Sequence, residues 1–139
     1  MHEEQSARLR HFVRSTLGCG CPEEVLQHIT SSRFNLCART PLTRLDVGGR
    51  LLVYLFEAEE GTGISEAALR EAVEHGVAER DRLGFNRLRI VVAADDPEAL
   101  RPAVEGSFAV LEHSADRVNL HLVATSDLPL KVPDPGSKV

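Results

Sequence analysis

The alternation of apolar and polar positions divides the chain into helices and strands. Residues 4–17 place Leu9, Phe12, Val13 and Leu17 at steps of three and four, which predicts an amphipathic helix with one apolar stripe. Gly18 then stands where a helix stops, because glycine adopts the left-handed conformation cheaply. Pro22 favours the first position of a new helix, and Glu23 and Glu24 suit the positive end of its dipole. Val25, Leu26 and Ile29 give this shorter helix, residues 22–29, an apolar side, and Ser31 and Ser32 break the pattern.

A different period follows. Phe34, Leu36 and Ala38 alternate with Asn35, Cys37 and Arg39, which predicts a strand with Cys37 on its more polar face. Pro41 interrupts, and residues 42–45 read as a second short strand. Asp46-Val47-Gly48-Gly49 is a hairpin turn, since two glycines supply the positive φ that a tight turn needs. Residues 50–57 form the next strand. Its centre, Leu51 to Phe56, is apolar without alternation, as in a central strand covered on both faces.

Residues 65–83 carry the clearest helical stripe, Leu69, Ala72, Val73, Gly76, Val77 and Leu83, with Gly84 as its stop. Residues 88–94 are a mostly apolar strand. Asp95-Asp96-Pro97 announces another helix, a carboxylate cap followed by proline. That helix runs towards His113 and is expected to break at Pro102, which removes a backbone donor. In residues 118–124, Val118, Leu120, Leu122 and Ala124 oppose Asn119 and His121, the alternation of a strand near a sheet edge. Beyond Leu128, three prolines and a glycine predict an extended tail.

Together these elements specify an α/β fold. It is a mixed β-sheet sandwich of two or three layers, with a C-terminal βαβαβ portion and an N-terminal helix pair free to cover the opposite face. Residues 1–127 form a single α/β domain and residues 128–139 the Pro-rich tail.

Composition narrows the function classes. With 139 residues, 42% of them hydrophobic and 27% charged, the chain builds one domain with a real core. The net charge is -5 and Lys and Arg form no run, so nucleic acid is not an expected partner. The longest apolar run is far too short to span a membrane. The acidic start, Met1-His2-Glu3-Glu4-Gln5, lacks the basic and apolar regions of a signal peptide, so a cytoplasmic protein is expected.

The chain has 3 cysteines. An odd count in a chain expected to be cytoplasmic favours free thiols, a metal site or redox chemistry over a disulfide framework. Cys19 and Cys21 flank Gly20 directly before Pro22, near a helix N-terminus that would stabilise a thiolate. Glu23 and Glu24 act in the opposite sense. Such a pair suits a reactive, catalytic thiol, an easily reduced disulfide, or binding of zinc or another soft metal. Cys37 is the natural third ligand. A fourth is harder to find, since His28 lies seven residues beyond Cys21, about 10 Å along a helix, and His11 is no better placed. The competing reading is that all three thiols are small apolar groups packed in the core.

A second constellation lies where parallel strands end. Glu57, Glu60, Asp95 and Asp96, with Thr125-Ser126-Asp127, would share one rim if their strands are neighbours, and carboxylates on a rim suit a hard divalent cation. Each also has a local explanation as cap or loop residue. None of the 6 histidines forms an H-x-x-x-H pair. His75 falls among Glu71, Glu74 and Glu79 and reads as solvated, while His113 and His121 could approach each other. No phosphate-loop, dinucleotide or serine-hydrolase motif occurs. The leading expectation is a thiol protein. The other is a non-enzymatic interaction domain that forms a homo-oligomer through a sheet edge or the N-terminal helix pair, and no small-molecule ligand is identified.

Overall fold

The computed structural model describes residues 2–16, 28–36, 40–58, 66–111 and 118–128. Five strands lie side by side in chain order: β1 (Ile29–Leu36), β2 (Thr40–Val47), β3 (Leu51–Glu57), β4 (Arg87–Ala94) and β5 (Val118–Ala124). The first three pair antiparallel, and β3–β4 and β4–β5 pair parallel. A hairpin joins antiparallel neighbours, whereas a parallel pair needs a long crossover. Those crossovers contain helices α2 (Glu66–Leu83) and α3 (Pro97–Leu111). The mixed α/β sheet expected from the sequence is therefore present, with the βαβαβ portion at its C-terminal side.

β3 is the spine. Its residues from Leu51 to Phe56 are all buried, as its unbroken apolar run requires. Successive side chains point to opposite faces. Leu52, Tyr54 and Phe56 enter one core with Leu69, Ala72 and Val73 of α2, Val104 and Phe108 of α3, and Leu88, Ile90 and Val92 of β4. Leu51, Val53 and Leu55 enter the other, with Val91, Ala93 and Val123. That second core is closed by Leu9 of helix α1 (His2–His11) and by Phe12 and Val13 of the π-helical turn that continues it to Thr16. The fold is thus three layers, α1 on one face and α2 and α3 on the other. Burying each large aliphatic side chain contributes about 1.5–3 kcal/mol, so β3 alone anchors both cores.

The hairpin signal at residues 46–49 is realised. Gly48 and Gly49 have φ of 59° and 72°, and Asp46 Oδ1 accepts a hydrogen bond from Gly49 N at 2.8 Å. Gly84 ends α2 with φ 81°, its N–H donating to Arg80 O.

Four local expectations are corrected. Ile29 is not the end of a helix; it starts β1, paired with Val47, and the preceding His28 O accepts from Gly48 N at 2.8 Å. Ser31 and Ser32, expected to end the helical pattern ahead of a strand starting at Phe34, lie inside β1, an edge strand with Thr30, Ser31, Ser32 and Arg33 exposed. Pro41 does not interrupt β2; it lies next to the strand's first residue, opposite Asn35, where one missing donor is tolerated.

Pro102 likewise does not break α3, which is continuous from Pro97 to Leu111. The proline lies little more than a turn from the helix start, so it deprives only the Glu98 carbonyl, and both residues are exposed. β5 is an edge strand, as its alternation predicts. The rest of the second N-terminal helix and residues 129–139 of the tail lie outside the described residues.

Candidate functional site

Cys19, Cys21 and Cys37 lie outside the described residues, as do Glu60 and His113. What the structure fixes is where the chain enters and leaves the thiol segment. It enters after Thr16, just past the buried Phe12 and Val13, and returns at His28, bonded to the β2–β3 turn.

The strand ends expected to carry the carboxylates lie side by side. Glu57 stands in register with Ala93, and Ala94 with Ala124, so the ends of β3, β4 and β5 are neighbours. Glu57, Asp95 and Asp96 are all exposed there. Asp96 is used locally, its Oδ1 accepting from Ala99 N at 3.4 Å at the start of α3. Among the described residues no three His, Cys, Asp or Glu side chains come together closely enough to hold a metal ion. An open cleft of about 500 Å³ adjoins this rim, between α1 and the short 3₁₀ turn Thr125–Asp127. Arg8, His11, Ser126 and Asp127 line it, over Phe12 and Leu128.

Two polar clusters went unseen in the sequence. The first lies between the sheet and α2. Arg44 on β2 stands directly opposite Tyr54 on β3. His75 and Glu79, one turn apart on α2, reach down to them. The Tyr54 hydroxyl lies 2.6 Å from Glu79 Oε1 and 2.7 Å from His75 Nδ1. A hydroxyl has one proton, and the carboxylate can only accept, so Tyr54 donates to Glu79 and accepts from a protonated His75 Nδ1. Arg44 Nε donates to the same Glu79 oxygen at 3.0 Å, and its guanidinium lies 5.8 Å from the Phe85 ring centre.

The electrostatics of this cluster favour rigidity. Burial, then the hydrogen bond to Glu79, pushes the Tyr54 hydroxyl well above the usual tyrosine range. Burial alone would raise Glu79, but the bonds from Tyr54 and Arg44 and the Arg44 charge outweigh it and hold the carboxyl below its ordinary value. Tyr54 is 0% exposed and stays protonated, so the cluster holds α2 to the sheet and supplies no nucleophile. Its faint sequence signal is the i, i+4 pair His75 and Glu79 on a helix facing the 1 tyrosine of the chain.

The second cluster is on the α1 face. Arg89 on β4 and His121 on β5 meet at 2.7 Å, NH1 to Nε2. Arginine only donates, so Nε2 accepts and His121 is neutral with its proton on Nδ1. Burial and then the Arg89 charge lower the His121 pKa to about 4. Arg89 Nε is buried with no hydrogen-bond partner.

No protein-family model, curated protein or solved structure matches the chain. Among the described residues no helix is long and apolar enough to cross a membrane.

Proposed function

We propose that the chain works through a dithiol, Cys19 and Cys21, as a small thiol protein of the reducing cytoplasm. It would bind a soft metal ion or cycle between dithiol and disulfide. The observation that carries this reading is the spacing itself: two thiols one residue apart, in a segment anchored on both sides. The buried Phe12 and Val13 hold the chain before it, and the bond from Gly48 N to His28 O holds it after.

The length of β1 argues for two thiols rather than three. Seven residue steps from Ile29 to Leu36 span about 23 Å, and Cys37 follows at the far end. Eight steps separate Cys21 from Ile29. They cover about 12 Å as helix and about 26 Å if extended. Cys37 therefore joins the pair only if the chain from Pro22 runs back extended along β1. A helix opening at Pro22 leaves the dithiol on its own, and a soft ion such as Cu(I) accepts few ligands where structural zinc needs four.

As a redox site the pair needs only a small-molecule disulfide as co-reactant. One thiolate attacks a sulfur of that disulfide and expels its partner as a thiol. The second cysteine then attacks the mixed disulfide, closing Cys19–Cys21 and releasing the second thiol. Two electrons and two protons pass to the co-reactant. Thiol titration with added Zn(II) and Cu(I) tests the reading. Two thiols should react fast in native protein and be protected by one bound ion. Cys37→Ser should leave both properties intact, and Cys19→Ser should abolish protection. Three inert thiols and no ion retained would overturn it.

One observation favours a second reading, the interaction domain. Among the described residues β1 has a strand partner on one side only, and it keeps Thr30, Ser31, Ser32, Arg33 and Asn35 exposed. An open edge of eight residues can pair with a second copy. Sedimentation decides: a strict monomer at high concentration removes this reading.

A further inference from the structure

We infer that Arg87 and Arg89, with His121, form a site for a phosphate-class oxyanion on the α1 face of the sheet. Arg87 and Arg89 are two residues apart on β4 and therefore project from one face, about 7 Å apart. Asn119 stands opposite Arg89 in the β4–β5 register, and His121 stands opposite Val91 on the same face. Four nitrogen-bearing side chains thus occupy one corner of the sheet, beside its β5 edge.

What distinguishes this corner is that two guanidinium groups share it, one of them half-buried, without a countercharge among the described residues. The chain has 21 Asp and Glu against 16 Lys and Arg, and several of its other arginines pair with carboxylates: Arg44 with Glu79, Arg70 with Glu66, Arg101 with Glu98 and Glu105. Among the described residues, Arg87 and Arg89 pair with none. Burial, and then the like charge of Arg87, disfavours the charge on Arg89. Arg89 Nε is buried without a partner, and its NH1 rests on a neutral histidine.

Such an arrangement costs stability unless an anion compensates it. Two guanidinium charges match a dianion. A planar carboxylate is saturated by one guanidinium fork, whereas a phosphate offers oxygens to both forks and to the His121 Nδ1–H.

Calorimetric titration of the full chain tests the site. The probes are inorganic phosphate, glycerol phosphate and acetate, at constant ionic strength in chloride. Saturable phosphate binding is expected, weakened about tenfold or more in Arg87→Gln, an exposed position that does not threaten folding, and lost in Arg89→Gln. Arg101→Gln removes the same charge from a distant exposed cluster and should change nothing. If glycerol phosphate binds as well as phosphate, the site accepts a phosphomonoester; if only phosphate binds, it takes the free ion. The inference is overturned by binding no stronger than chloride screening explains, by acetate binding equally, by Arg87→Gln binding as well as the parent, or by Arg101→Gln losing as much as Arg87→Gln.

Discussion

The two faces of one sheet treat buried charge in opposite ways. On the α2 face, Arg44, Tyr54, His75 and Glu79 form a closed network in which the helix carboxylate accepts from donors on two strands. Arg44 and Glu79 keep only 18% and 12% of their side-chain surface. On the α1 face, Arg89 is half-buried against His121, with no carboxylate paired to it among the described residues. The first arrangement is complete within the chain. The second is stable only to the extent that the rest of the fold tolerates it. A compensated network is where a fold is held together, and an uncompensated one is where a ligand has something to gain.

Breaking the closed network should have the largest effect. Glu79→Leu removes the acceptor for both Tyr54 and Arg44 and leaves a cation largely out of water. It is expected to cost about 2–4 kcal/mol, measured by urea unfolding. Next comes Gly76→Ala on α2. Its new Cβ would lie 2.6 Å from a Leu88 methyl and 3.2 Å from the Tyr54 ring. The gain in helix propensity is outweighed by displacing two fully buried side chains, for a net loss of about 1–2 kcal/mol.

The open cluster should reveal itself through acid. The folded pKa of His121 is about 4 against 6.5 for a free imidazole, so the unfolded chain takes up its proton first as pH falls. Stability contributed by neutral His121 is therefore full above pH 6.5 and is lost between there and about 4. His121→Gln, which keeps an acceptor for Arg89, should flatten the fall of the urea midpoint in that window. Glu79 acts lower: its depressed pKa gives stability that is present above the ordinary carboxylate range and is lost below it. The smallest effect is expected from Arg89→Met, within about 1 kcal/mol and of either sign, since it removes an unpaired donor and a like-charge contact together. A cost as large as that of Glu79→Leu would erase the contrast between the faces.

The fold was legible wherever hydrophobic period and turn chemistry agreed. The apolar run from Leu51 to Phe56 marked the central strand, Gly48-Gly49 the hairpin, and the stripe from Leu69 to Val77 the long helix. Boundaries failed where context overrode local signals. Ser31 and Ser32 persist in β1 because an edge strand meets water on both faces, and Pro102 survives in α3 because it sits close to the helix start.

The polar clusters were hidden for another reason. Tyr54 sits within an apolar run, and His75 is exposed as expected, so its bond to the Tyr54 hydroxyl shows only once the sheet is in place. Arg89 and His121 meet only through the β4–β5 pairing, a long-range register that periodicity does not encode. Of the rim, the neighbouring strand ends were foreseeable. That Asp96 serves as a cap was equally readable from the proline after it.

The most direct measurement of the functional account is disulfide mapping of the native chain after mild oxidation by a small-molecule disulfide. The account predicts one intramolecular bridge, Cys19 to Cys21, with Cys37 recovered as a free thiol. A bridge that includes Cys37, or three thiols untouched until the chain is unfolded, would contradict it.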